Sequence, residues 1–189
     1  MKNALITALS FLLLLSGCRK TETAKTPGIP TVTEHKTLAE ASQHPYFHGL
    51  IEEYRTILAE DPNNLAALIA LGNAYFDSAN WPQALIMYEH ALLIDVRNAD
   101  VRTDMGTCYR NMGKPDRALA EYRHALEHDD GHLNARYNMG IVYAYDKKDV
   151  RTAIRIWEEL LRISPTYPHG RDMRTAMETF KRTMGRTGQ

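Results

Sequence analysis

The sequence predicts an all-α protein, an α-solenoid of three tandem helix hairpins with an extra helix at each end. Similar segments start at Leu71, Met105 and Met139, 34 residues apart in each case. A fixed period of this length is typical of repeat architectures. Downstream of each segment comes a second recurring set, in which a small residue precedes an aromatic one by four positions. Two helices in each unit explain both sets.

Residues 1–17 are predicted to be a signal peptide. Lys2 is followed by an apolar run from Ala4 to Leu15, about 12 residues against the roughly 20 that a helix needs to cross a bilayer. The run ends in Leu15-Ser16-Gly17-Cys18, which resembles the lipobox of bacterial lipoproteins. The resemblance implies cleavage before Cys18 and a diacylglycerol on its sulfur. The alternative is a plain secretory signal with a chance cysteine.

The lipobox resemblance also implies a location. Arg19 follows the cysteine, whereas the family's sorting rules take Asp there as a signal to stay on the inner membrane. We therefore expect a lipid anchor in the bacterial cell envelope, facing the periplasm, on the outer rather than the inner membrane. Residues 18–45 are rich in Thr, Lys and Pro and show no helical period, which predicts a flexible linker ahead of a folded domain over residues 46–185.

The repeated units resemble the tetratricopeptide repeat, whose pattern has small residues at positions 8, 20 and 27 and aromatic residues at 11 and 24. With Leu65, Ala99 and Leu133 as first positions, the match is close in two units and good in the third. The third unit has one extra residue, which we place in its turn between helices. The units span about residues 65–98, 99–132 and 133–167.

Local signals mark where the helices of each unit start. Asn64 and Asn98 are candidates to cap the first helices, and Pro82 and Pro115 suit the start of the second helices. Because a single hairpin cannot bury its apolar stripe, the flanks should supply neighbours. The predicted flanking helices cover about residues 47–60 and 170–184.

In this family the first helices line an inner groove, so the resemblance implies a peptide-binding surface. Its lining mixes aromatic and aliphatic anchors with small polar groups, which suits an extended segment or an amphipathic helix of another protein. Phe76 and Tyr145 have an alternative role within their own turns, and Asn73 has a structural one. The predicted groove residues are Ile69, Asn73, Phe76, Asp77, Thr103, Thr107, Arg110, Tyr137, Ile141 and Tyr145.

Charge and composition exclude several other functions. Lys and Arg number 23, as do Asp and Glu, so no broad positive field exists to hold a nucleic acid. The two cysteines, Cys18 and Cys108, cannot form a disulfide framework. No phosphate-binding loop or dinucleotide fingerprint is present. We therefore expect no cofactor, no metal and no small-molecule substrate.

One motif points to a rival function. His124-Ala125-Leu126-Glu127-His128 matches the string of inverted zinc metallopeptidases, with two histidines and a glutamate on one helix. That alternative is a metal-dependent hydrolase. However, Ala125 is the packing residue of its repeat, so the histidines should point to solvent. We favour a non-enzymatic adaptor that serves envelope assembly, in cytochrome c maturation, pilus biogenesis or outer-membrane assembly, and the sequence does not choose among them.

Overall fold

The computed structural model describes residues 45–187, over which the chain forms eight helices and no strand. Each helix packs mainly against the helices before and after it along the chain. The predicted α-solenoid of three hairpins with an extra helix at each end is therefore confirmed. The helices are α1 Pro45–Glu60, α2 Leu65–Asp77, α3 Trp81–Ile94, α4 Ala99–Asn111, α5 Pro115–His128, α6 Leu133–Ile141, α7 Val150–Ile163 and α8 Gly170–Thr187.

The first helices of the repeats begin at side-chain caps. The Oδ1 atoms of Asn64 and Asn98 accept hydrogen bonds from the backbone N–H of Ala67 and Val101, each at 3.0 Å. The third cap is His132, whose Nδ1 accepts from the backbone N–H of the residue three positions on, at 3.2 Å. Each cap satisfies one of the backbone donors that a helix start leaves unpaired.

A glycine lets the two helices of each hairpin approach closely. A Cβ added at Gly72 would lie 2.5 Å from Cε1 of Tyr88, closer than real Cβ atoms come to a ring. The aromatic residue of the second helix thus packs directly on the backbone of the first. The same relation holds for Gly106 with Tyr122 and for Gly140 with Trp157.

The small and aromatic residues of the second helices form the core. Ala84, Ala118 and Ala153 are fully buried, and Tyr122 is buried with them. Apolar clusters follow one another along the chain, from the contact of α1 with α2 and α3 to the contact of α7 with α8. Burial of apolar area at about 25 cal/mol per Å² stabilises each interface.

The extra residue of the third repeat lies in its first helix, not in the turn as predicted. A π-helical turn, Val142–Asp146, continues α6. The connection that follows spans residues 147–149, the same length as residues 78–80 and 112–114 in the other repeats. The third residue position before each second helix is thereby kept, and the wider turn re-aims the end of α6.

The N-terminal predictions lie outside the described residues. They comprise the signal peptide, the lipid-bearing Cys18 and the linker over residues 18–45 up to its last position. Within residues 45–187, no helix combines the length and apolar character needed to span a bilayer.

Candidate protein-binding face

The ten predicted groove residues lie along α2, α4, α6 and the π-helical turn. We call this surface the first-helix face. Asn73, Asp77 and Tyr145 are exposed on it. The remaining residues, apart from Thr103, are partly buried, so most of the predicted set is within reach of a ligand. The partly buried residues are Ile69, Phe76, Thr107, Arg110, Tyr137 and Ile141.

Thr103 does not offer its side chain to a ligand, contrary to the prediction. It is only 4% exposed. Its hydroxyl donates to the backbone carbonyl of Ala99 at 2.8 Å and lies 3.4 Å from Nδ1 of His132. The contact with His132 comes from the cap of the next repeat, which covers this position. Thr103 therefore helps to join the second and third repeats.

Polar tips of the core aromatics reach the first-helix face from below. The Tyr88 hydroxyl donates to Oδ1 of Asn73 at 2.8 Å. The hydroxyl of Tyr122 lies 3.2 Å from Oγ1 of Thr107, the equivalent residue of the second repeat. Because Asn73 is exposed and its Oδ1 is fixed, its Nδ2 group is held in a defined direction. An amide group held in this way suits hydrogen bonding to the backbone of an extended ligand.

An ion pair links the second repeat to the third across the face. Nε of Arg110 lies 2.6 Å from Oδ2 of Asp146, in the π-helical turn. Both side chains are more than two thirds buried, which limits solvent screening of the pair. Asn138 also donates to Oγ1 of Thr107, at 3.4 Å. The two first helices are thus held together where a ligand would cross them.

The two tyrosines of the third repeat have different surroundings. Tyr137 stacks on His169 with ring centroids 4.8 Å apart and also contacts Trp157 and Tyr167. Tyr145 meets only Phe180 of α8, edge to face at 6.1 Å, and remains 41% exposed. Tyr137 therefore belongs to the junction with α8, while Tyr145 is free to contact a ligand.

Unpaired carboxylates lie between the first and second repeats. Asp77 and Asp104 make no hydrogen bond or ion pair with any residue of the described range, whereas Asp100 pairs with Nε2 of His132 at 2.9 Å. Burial raises the pKa of Asp104 to about 6, and the nearby charges of Asp100 and Asp77 raise it further, against the opposing effect of His132. Burial also raises the pKa of Asp77. This part of the face favours a cationic group.

The metallopeptidase-like string lies on the outer side of α5. Nδ1 of His124 contacts Oε2 of Glu127 at 2.9 Å, and both side chains are at least half exposed. The nearby His124 side chain lowers the pKa of Glu127, which is the opposite of what a general base near neutral pH requires. Over residues 45–187, no three His, Cys, Asp or Glu residues come together as a metal site.

Cys108 is fully buried at the small apolar position of the second repeat. Burial raises the pKa of its thiol to about 12, and the charge of Asp104 contributes. A thiol that stays protonated at neutral pH is a poor nucleophile. Cys108 therefore has a packing role.

Sequence reasoning missed three residues of the face. Asp146 was read as a turn residue, since the π-helical turn that aims it at Arg110 has no sequence signal of its own. Asp104 and Asn138 share position 6 of their repeats, and that shared position was the signal that could have found them. His132 was missed as a cap because the other repeats use Asn.

Comparisons with known proteins agree with this architecture. A tetratricopeptide-repeat family model matches residues 51–108, which covers α2, α3 and most of α1 and α4. The fold over the described range, with glycine-to-aromatic packing in each hairpin, is the arrangement that this repeat produces. The chain is a tetratricopeptide-repeat protein.

Solved structures extend the likeness over the whole repeat array. A crystal structure of MamA matches with a TM-score of 0.61 and 21% identity, covering 82% of this chain and 93% of that one. A second, titled crystal structure of MamA protein, matches with a TM-score of 0.59 and 23% identity, covering 79% of this chain and 90% of that one. At these identities the likeness shows the fold alone. No curated protein matches the sequence.

Proposed function

We propose that this tetratricopeptide-repeat protein is a non-enzymatic adaptor that binds a segment of another envelope protein on its first-helix face. The face is the concave side of the solenoid in this proposal. A membrane anchor on Cys18 holds the adaptor in the bacterial cell envelope, facing the periplasm and on the outer membrane. The partner then serves the assembly of an envelope complex, such as a cytochrome, a pilus or an outer-membrane protein.

The observation that carries the binding proposal is the set of exposed side chains on successive first helices. Asn73 and Asp77 on α2 are followed by the partly exposed Arg110 on α4 and by Tyr145 at the end of α6. Contacts between repeats fix their relative positions, through the bond of Arg110 to Asp146. A row of fixed polar groups with an aromatic anchor suits recognition of a peptide segment.

Two sets of variants test the binding face. Asp77→Arg combined with Tyr145→Ala alters only exposed side chains of the first-helix face. Glu89→Arg combined with Ile86→Ala is the matched control on the outer side of α3, since Ile86 is 46% exposed and Tyr145 41%. Partners captured from detergent-solubilised envelopes are identified and quantified by mass spectrometry.

The adaptor proposal expects the first pair of substitutions to remove at least one partner that the wild-type chain captures. The control pair should retain that partner, and far-ultraviolet circular dichroism should show the same helicity for all three proteins. Equal capture by the wild-type chain and the first-helix-face variant would place the interface elsewhere. Loss of the partner only in the control would move it to the outer side.

A separate experiment tests the anchor. The support for it is the run Leu15-Ser16-Gly17-Cys18 at the end of an apolar segment. Cys18→Ala should abolish labelling with radioactive palmitate and release the protein from membranes, because each buried CH₂ of an acyl chain contributes about 0.8 kcal/mol to membrane affinity. Cys108→Ala is the matched control and should keep the label. Label retained in the Cys18 variant would refute lipidation.

A further inference from the structure

Helix α1 has the pattern of a second helix but lacks the first helix that should cover it. Leu50, Tyr54 and Ile57 lie 34 residues before the small, aromatic and small residues of α3. All three are partly exposed. In the complete repeats the same positions are at most 1% exposed, because the first helix of the hairpin covers them. Those residues are Ala84, Tyr88, Ala91, Ala118, Tyr122, Ala125, Ala153, Trp157 and Leu160.

The sequence ahead of α1 does not supply the missing pattern. Counting back one period of 34 residues from the start of α2, the two core leucines and the glycine of a first helix correspond to Glu34, Thr37 and Leu38. A charged and a polar residue thus replace the core leucines, and Leu38 replaces the glycine on which an aromatic ring would pack. A complete first helix of the repeat type is not encoded there.

The opposite end of the array has the complementary shortage. Helix α8 follows α7 as the first helix of a further repeat would, and it buries Met173 and Met177 against the third repeat. No second helix packs on its other side within residues 45–187. That side is exposed and carries Arg171, Arg174 and Arg182.

The charges of the two ends are opposite. Glu53 and Glu60 are exposed on the outward side of α1 and make no ion pair with any described residue. Arg171, Arg174 and Arg182 on α8 likewise make no ion pair within the described part of the chain. An apolar strip flanked by free carboxylates therefore has its electrostatic counterpart on the other end of the same molecule.

We propose that copies of this chain associate head to tail, with α8 of one copy packed against α1 of the next. The pair takes the place of a hairpin that neither end completes alone, and it continues the solenoid from one molecule to the next. Such a contact is heterologous, so it can extend beyond a dimer. This self-association does not depend on the proposed binding function of the first-helix face.

Charge reversal with rescue tests this contact. One variant carries Glu53→Arg and Glu60→Arg, and the other carries Arg171→Glu and Arg174→Glu. Each variant alone then presents like charges at both ends, while a mixture of the two presents opposite charges. Analytical ultracentrifugation of the full chain in a mild detergent, from about 1 to about 100 µM, measures the average mass.

The wild-type chain should at least double its average mass across this range, and high salt should reduce the effect because the flanking charges are exposed. Each variant alone should stay monomeric, and the equimolar mixture should regain the association. A monomeric wild-type chain at the highest concentration would overturn the proposal. So would association of either variant alone at wild-type strength.

Disulfide trapping decides which ends meet. Glu53→Cys and Arg174→Cys are made in separate chains with Cys18→Ala, and Cys108 is buried and does not compete. Under mild oxidation the mixture should give a cross-linked dimer that neither chain gives alone. Dimers of the Glu53→Cys chain with itself would instead show a symmetric contact between α1 helices and overturn the head-to-tail arrangement.

Discussion

Replacement of Asp104 by Asn should stabilise the fold at neutral pH. Asp104 is partly buried without a hydrogen bond or ion pair to any described residue, and its pKa rises from 3.8 to about 6. A rise of about two units corresponds to about 3 kcal/mol by which the folded state disfavours the charged carboxylate. Asn has the same shape without the charge. Asp104→Asn should therefore raise the free energy of unfolding at pH 7 by up to about 3 kcal/mol.

The pH dependence gives this prediction its sign. Between 3.8 and about 6 the folded state binds more protons at Asp104 than the unfolded state does. The contribution of Asp104 to stability therefore falls as pH rises through this window and is constant above it. Urea denaturation followed by circular dichroism at several pH values should show the gain of Asp104→Asn at pH 7 and little gain near pH 4.

Two outcomes would refute this reasoning. A loss of stability in Asp104→Asn at pH 7 would mean that the carboxylate has a favourable partner. A gain of equal size at every pH would mean that the effect does not come from ionisation. Asp100→Asn is the control, because Asp100 pairs with His132 and its replacement should destabilise the fold instead.

Other substitutions test the packing and the contacts between repeats. Gly106→Ala should lower the free energy of unfolding by about 1 to 3 kcal/mol, since the added methyl group meets a buried ring. Gly49→Ala, where no atom lies within 4 Å, should raise it by about 0.5 to 1 kcal/mol. His132→Ala should cost about 1 kcal/mol in the same urea titrations, while His132→Asn should retain the cap. A double-mutant cycle on Arg110 and Asp146 should give a coupling of about 1 kcal/mol, and no coupling would contradict their contact.

The repeat arithmetic was sufficient to predict the fold. Gly72 and Tyr88 recur in equivalent form at a fixed period, and each contact between them lies within one hairpin. Local sequence therefore encodes most of the packing in such an array. The caps Asn64 and Asn98 were also predictable, because an Asn directly before an apolar helix has few other local roles.

The candidate face was less predictable because it depends on contacts between repeats. The position of Thr103 in its repeat indicated a groove residue, yet the next repeat's cap covers its hydroxyl. One inserted residue was absorbed as a π-helical turn, and only this geometry brings Asp146 to Arg110. The unpaired state of Asp104 likewise depends on how two hairpins meet. Sequence position defines a residue's place on its helix but not what the neighbouring hairpin brings to it.

The central claim is that the first-helix face, and not the outer side of the solenoid, binds a protein partner. A photo-crosslinking amino acid placed at Asp77 tests this most directly, with the same amino acid at Glu89 on the outer side of α3 as the control; both positions are exposed. After illumination of intact cells, the residue at 77 should form a defined cross-linked band with another protein and the residue at 89 should not. The same band from position 89 alone, or from neither position, would contradict the account.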